Sequence, residues 1–235
     1  MRFVSLDLAN ANEDAFERLG RPAVLIHLAW GGLPHYRSLH HFEAELPAQY
    51  RFLRAMIAAG LPSVVVTGTC FEYGMIDGEL AEDRDPRPAN PYAFAKATLL
   101  RQLQFLQSEH RFALTWARLF YMWGEGQGPA SLFPLLQAAA ARGDVAFPMS
   151  GGEQLRDYLP VETVARLLVM LALRGDDHGV VNISSGEPVA IRSLVERWIA
   201  THGWRIVPDL GRFPYPDYEP MAFWGNAAKR RALIG

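Results

Sequence analysis

The chain has 235 residues, half of them hydrophobic, which is enough to bury one full core and excludes a disordered polypeptide. A formal net charge of −2, a pI near 6.4 and no long basic run give no reason to expect nucleic acid or an anionic membrane as a partner. The single cysteine, Cys70, excludes a disulfide framework and a cysteine metal cluster, and fits a reducing cytoplasm.

The opening residues, Met1-Arg2-Phe3-Val4-Ser5-Leu6-Asp7, lack a signal-peptide core and alternate instead, so residues 2–8 predict a strand. A short helix is expected over 13–19 and a second apolar strand over 23–29, an α/β rhythm. Residues 41–59 place Phe42, Leu46, Tyr50, Leu53 and Ile57 at helical spacing and stop at Gly60. The β-branched run 63–66 predicts a buried parallel strand that ends in Thr67-Gly68-Thr69. After an acidic, turn-rich stretch at 75–88, Asn90 reads as an N-cap and Pro91 as the first residue of a helix reaching about Glu109. A strand over 112–119 breaks into Gly124-Glu125-Gly126-Gln127-Gly128-Pro129. From about Phe133 the pattern becomes helix, short strand and loop, with a strand at 180–183 and a helix at 193–202. The apolar helical stretch 164–173 contains Arg166 and is too short to span a bilayer. Aromatic and proline residues at 213–224 read as a small lobe. The alternation predicts an α/β fold, a parallel sheet with helices on both faces, divided into interleaved units 1–145 and 146–235.

Two residues stand out for chemistry. Tyr92 and Lys96 fall one turn apart on the same helix face, in a chain with only two lysines against eight tyrosines. An ammonium beside a phenol favours the phenolate and lowers a pKa ordinarily near 10 toward the range of proton exchange at neutral pH. The alternative is a surface pair on an amphipathic helix. Thr67 and Thr69 stand at the carboxyl end of their strand, where ligands of open α/β sheets gather, and a hydroxyl there can hold a substrate oxygen beside Tyr92. His35, His40 and His41 form the one histidine cluster; with no second cluster, and with His40 and His41 on different helix faces, no metal site is expected.

The strand 63–69, the Thr-x-x-x-Tyr-Gly of Thr69 to Gly74, the Tyr92/Lys96 helix and Arg156-Asp157-Tyr158 together resemble the extended short-chain dehydrogenase/reductase family, the NAD-dependent epimerase/dehydratase group acting on nucleotide sugars. The resemblance implies a Rossmann-like sheet with a small C-terminal substrate lobe, NAD or NADP as cofactor, a nucleotide-diphosphate sugar as substrate, and a homodimer through helices 42–59 and 92–109. Tyr92 is then the acid/base, Lys96 binds the nicotinamide ribose and holds down the Tyr92 pKa, and Thr69 bonds the reacting oxygen. Thr67 is a lesser candidate, equally readable as a strand threonine bonded to backbone. Asp7, followed by Leu8, looks like the adenine contact, and His27-Leu28-Ala29-Trp30 looks like the segment beside the cofactor ribose. Arg118-Leu119-Phe120-Tyr121-Met122-Trp123-Gly124 resembles the stretch under the nicotinamide and substrate, with Tyr121 replacing the family's Asn. Arg156 suits a diphosphate, or else an ion pair with Asp157 or another acid. Asp157 and Asn182-Ile183-Ser184-Ser185-Gly186 read as structural, and Leu33-Pro34-His35-Tyr36 as a loop over cofactor or sugar.

The chain also departs from the family pattern. No G-x-G-x-x-G precedes its first helix, and within the resemblance 2–8 looks like the third strand, so that two strands and their helices, roughly 60 residues, are expected to be missing. The strand at 23–29 then exposes an apolar edge. Three accounts remain open: a late start site or fragment, a degenerate protein without cofactor, and a split or assembled form. Dehydratases of the family carry Asp-Glu directly after the threonine, where this chain has Cys70-Phe71; Glu72 comes one residue late and, by strand alternation, should point away. That leaves an epimerase or ketoreductase acting at C4 of the sugar. A non-catalytic sugar-nucleotide-binding or assembly module is the alternative.

Overall fold

The computed structural model describes residues 3–10 and 14–235. In chain order it forms α1 (Ala15–Arg18), β1 (Leu25–His27), a π-helical turn (His41–Glu45) leading into α2 (Leu46–Ala58), β2 (Ser63–Thr69), a 3-10 turn (Cys70–Tyr73), β3 (Gly78–Leu80), α3 (Pro91–Leu106), β4 (Ala113–Leu119) and β5 (Tyr121–Trp123). There follow α4 (Leu132–Arg142), β6 (Ala146–Pro148), β7 (Leu155–Arg156), β8 (Tyr158–Pro160), α5 (Val161–Arg174), β9 (Gly179–Ile183), β10 (Val189–Ala190), α6 (Ile191–His202), β11 (Val207–Asp209), β12 (Phe223–Gly225) and α7 (Ala228–Ile234).

Four parallel strands make the central sheet, in the order β1-β2-β4-β9. Every residue of β2 is buried, because helices cover both faces and each apolar side chain finds a layer on its own side. Val64 and Val66 face α2 and α3, where they pack with Leu53, Met56, Leu99 and Leu103. Val65 faces the opposite layer, with Leu167, Leu168 and Leu171 of α5. This is the Rossmann-like layering expected from the sequence. A third cluster, built on Phe133, Leu136, Phe147, Val195 and Trp198, joins α4 and α6 to β6 and β11. Two small parallel pairs, β5 with β8 and β3 with β12, tie that part back to the loops above the sheet.

The strand expected at 2–8 does not form over the described part of that segment: Phe3 to Asp7 is irregular and Leu8–Asn10 is a 3-10 turn. Its alternation is nevertheless used. Leu6 and Leu8 turn inward onto the cluster around α2, while Phe3, Ser5 and Asp7 stay exposed. Apolar alternation specifies a buried face, and without a hydrogen-bonded neighbour the segment lies on a helix instead of joining a sheet. The expected start of the first helix at Glu13 lies outside the described residues. Among the described residues β1 is the outer strand of that sheet, and just past it Leu28 is 61% exposed. Among the described residues no helix is long and apolar enough to cross a membrane.

Candidate active site

The site forms where β2 ends and α3 begins. Asn90 is extended, and its side-chain oxygen accepts the Ala93 N–H at 2.9 Å, so the cap and Pro91 fix where the first turn starts. That places Tyr92 in the first turn and Lys96 in the second, both buried and both facing the end of β2. The loop at 33–36 closes over them, with the Tyr36 carbonyl accepting the Tyr92 N–H at 3.1 Å and its ring 5.6 Å from the phenol ring. Thr69, the last residue of β2, is buried beside them.

The electrostatics differ from the expectation in one respect. The Tyr92 phenol is held above its ordinary pKa, first by burial, then by the charges of Glu72, Tyr36 and Cys70, with the Thr69 hydroxyl opposing them. The Lys96 ammonium is engaged with the end of β2 and with Trp30. It donates to the Thr67 carbonyl at 2.8 Å and lies 4.1 Å from the centre of the Trp30 ring. Burial lowers the Lys96 pKa to about 7, against the pull of Glu72 and Glu45. Trp30 is itself fixed by its indole N–H, which donates to His41 Nδ1 at 3.1 Å, while His41 Nε2 lies 3.1 Å from the His35 carbonyl. His27, the last residue of β1, is buried with neither ring nitrogen partnered, and burial lowers its pKa to about 4.

A cleft of about 840 Å³ opens above these groups, walled by Thr69, Cys70, Phe71, Tyr92, Leu119 and Tyr121 near the strand ends and by Trp123, Phe133 and Trp198 farther out. Its size is that of a small-molecule site. An adjoining hollow of about 360 Å³ shares Tyr121, Tyr158, Tyr218 and Glu219 with it. Tyr121 therefore stands in the partition, its hydroxyl buried and unpartnered.

Not every expected residue is brought to the cleft. Thr67 donates its hydroxyl to the His27 carbonyl at 3.3 Å, the backbone-bonded alternative. Asp7 accepts from Ala9 N–H and the Asn10 amide, and Leu8 packs near α2, so neither lines the cleft; nor do His27, Leu28, Ala29 and Trp30. Arg156 is engaged within the protein: Nη2 and Nε donate to Glu219 at 2.8 and 3.1 Å, and Nη1 to the Leu155 and Met221 carbonyls. The ion-pair alternative is realised with Glu219, not Asp157. Asp157 accepts three backbone N–H bonds, from Ser185, Gly186 and Gly225, and organises the loops. Glu72 is not brought to the cleft either: Cys70 and Phe71 line it and Glu72 does not.

The turn after β2 swings its carboxylate back toward Trp116, Arg118 and the Thr69 N–H. The signal was in the sequence as a Thr69-x-x-Glu72 capping pattern. Tyr218 and Glu219 reach the site from far along the chain and carry no local signal.

A parallel sheet with a buried Tyr/Lys/Thr group at the end of an inner strand defines a Rossmann-like enzyme of the extended short-chain dehydrogenase/reductase class. Residues 1–184 match the NAD dependent epimerase/dehydratase family, and the chain belongs to that family. Over 203 residues it is 31% identical to dTDP-6-deoxy-L-talose 4-dehydrogenase (NAD(+)) of Aggregatibacter actinomycetemcomitans, covering 86% of this chain and 74% of the relative. It is 26% identical to dTDP-6-deoxy-L-talose 4-dehydrogenase (NAD(P)(+)) of Kitasatospora kifunensis, over 92% of this chain and 70% of that one. The solved structure of MoeE5 in complex with UDP-glucuronic acid and NAD superposes with a TM-score of 0.82 at 28% identity, covering 99% of this chain and 78% of MoeE5. The family's cofactor is a nicotinamide dinucleotide, and the donor set fits its nicotinamide-ribose end. Among the described residues the Lys96 ammonium has one hydrogen-bond acceptor, the Thr67 carbonyl, for its three N–H donors.

Proposed function

We propose that the chain catalyses NAD(P)-dependent oxidation and reduction at C4 of a nucleotide-diphosphate-linked sugar, with a 6-deoxyhexose as the preferred sugar. The observation that carries this reading is the meeting of Thr69 and Tyr92 at the end of β2, on the wall of a cleft of substrate size, with Lys96 buried one helical turn along from Tyr92. A nicotinamide cofactor, when bound, would supply the hydride chemistry at C4. Tyr92 takes the hydroxyl proton as the alcohol is oxidised and returns it on reduction, and Thr69 holds the same oxygen. Lys96 orders the cofactor ribose. Cys70 and Phe71 supply no acid/base pair for water elimination, and burial pushes the Cys70 thiol pKa up, which favours C4 redox chemistry over dehydration. The apolar wall beside Thr69, formed by Cys70, Phe71 and Leu119, suits a methyl group better than a hydroxymethyl group on C5, next to the reacting C4. The two 4-dehydrogenase relatives support the same direction.

The test is incubation of the purified chain with NAD or NADP and dTDP-6-deoxy-L-talose, following the near-ultraviolet absorbance of the reduced nicotinamide. Accumulation of reduced cofactor with the matching 4-keto sugar is expected. Interconversion of C4 epimers with no net cofactor reduction overturns the dehydrogenase reading in favour of an epimerase. Binding of the sugar nucleotide with neither reaction would favour a non-catalytic module.

A further inference from the structure

Glu72 takes no part in the proposed chemistry, yet its side chain is fully buried directly beneath the site. Oε1 accepts the Thr69 N–H at 2.8 Å and the Trp116 indole N–H at 3.0 Å; Oε2 accepts from Arg118 Nε at 2.8 Å. The Thr69 hydroxyl in turn accepts the Phe71 N–H at 3.3 Å, so the reciprocal box fixes both the backbone and the side chain of Thr69. Gly68 makes the return path possible: a Cβ there would stand 2.5 Å from Glu72 Oε1. Arg118 is secured as well, its guanidinium 4.5 Å from the Tyr73 ring, and Tyr73 donates to Asn182 at 2.7 Å. A buried arrangement of three donors around one carboxylate exceeds what closing a 3-10 turn requires.

The geometry points to Glu72, paired with Arg118, as the positioning residue of the site: it sets the Thr69 hydroxyl toward Tyr92 and supplies the buried counter-charge for the Lys96 ammonium. This rests on the reading of Thr69, Tyr92 and Lys96 as the reacting groups. Glu72 is ion-paired with Arg118 from β4, and its charge acts on Tyr92 and Lys96 of α3 and on Cys70 of its own turn. Lys96 also faces Glu45 from the π-helical turn and His27 from β1. Of the two carboxylates that oppose the lowering of the Lys96 pKa by burial, Glu72 is the stronger.

The scarcity of lysine makes the test direct. In a Lys229→Arg background, side-chain 13C labelling of lysine reports Lys96 alone. Its titration midpoint is expected near 7 in that background and about one pH unit lower after Glu72→Gln, which preserves size and an acceptor for the Thr69 N–H. Turnover should fall roughly 10- to 100-fold, with KM for the sugar nucleotide little changed. A folded Glu72→Gln variant with an unmoved Lys96 midpoint overturns the inference. Should that variant fail to fold, Glu72→Gln combined with Arg118→Leu removes the unpaired guanidinium, and the same midpoint is read there. Tyr92→Phe is assayed alongside: if it retains turnover, the catalytic reading fails, while the Lys96 midpoint still decides the placement of Glu72.

Discussion

Tyr92 sits where one oxygen decides the outcome. Tyr92→Phe keeps the ring against Tyr36 and His41 but removes the proton carrier, so turnover should drop by about 10²–10⁴-fold while sugar-nucleotide affinity stays near its original value. Calorimetric binding beside a rate assay checks this, and near-normal turnover would sink the role. His27 carries a prediction of another kind. Its folded pKa near 4 lies below its ordinary 6.5, so the unfolded chain takes up a proton first as the pH falls. The associated stability is complete above pH 6.5 and is lost progressively down to pH 4, by about 3 kcal/mol. Urea unfolding at pH 7 and 4.5 should therefore give a smaller difference in His27→Leu than in the parent; equal differences would refute the buried neutral imidazole. At this scale Tyr92, Lys96 and Thr69 were legible because residue type and spacing carry the chemistry. For Glu72, strand alternation gave no hint that its carboxylate closes a box onto Thr69, because the chain has already turned there.

The elements that hold the site were legible wherever their cause is local. The run of valines in β2 and the Asn-Pro start of α3 need no distant partner to be recognised. The segment at 2–8 differs: alternation says which side chains turn inward but not what lies opposite, and here a helix does. The start of α3 has a measurable consequence. Asn90→Ala removes the oxygen that accepts the Ala93 N–H and should cost about 1 kcal/mol in unfolding free energy. Because Tyr92 lies in that same turn, turnover should fall more than stability does, and Asn90→Ser or Asn90→Asp should restore both. Loss of stability with unchanged turnover would show that the cap does not register the phenol.

For the whole molecule, we propose that the outer face of the α2/α3 layer joins two copies of the chain. Phe94 and Phe105 of α3 are 51% and 65% exposed, and Phe42 packs edge-on to Phe94 beside them. Phe94→Glu with Phe105→Glu should convert a dimer in sedimentation to a monomer without altering the far-ultraviolet dichroism; a parent that sediments as a monomer would remove the interface. At this scale the sequence is least informative. The acid that occupies Arg156 is 63 residues away, and no spacing rule connects the two.

The pairing of β3 with β12 has a temporal side. Ala222 N–H is held by Asp77 across 145 residues of chain, and Gly78 and Phe223 stand in register. Such a contact closes a very large loop, so loop-closure entropy predicts that it forms later than the pairing of β1 with β2 and the start of α3. Glu219 and Tyr218, which wall the cleft, lie just before β12 in the chain. The wall that these two residues supply is thus expected to be the last part of the cleft to close.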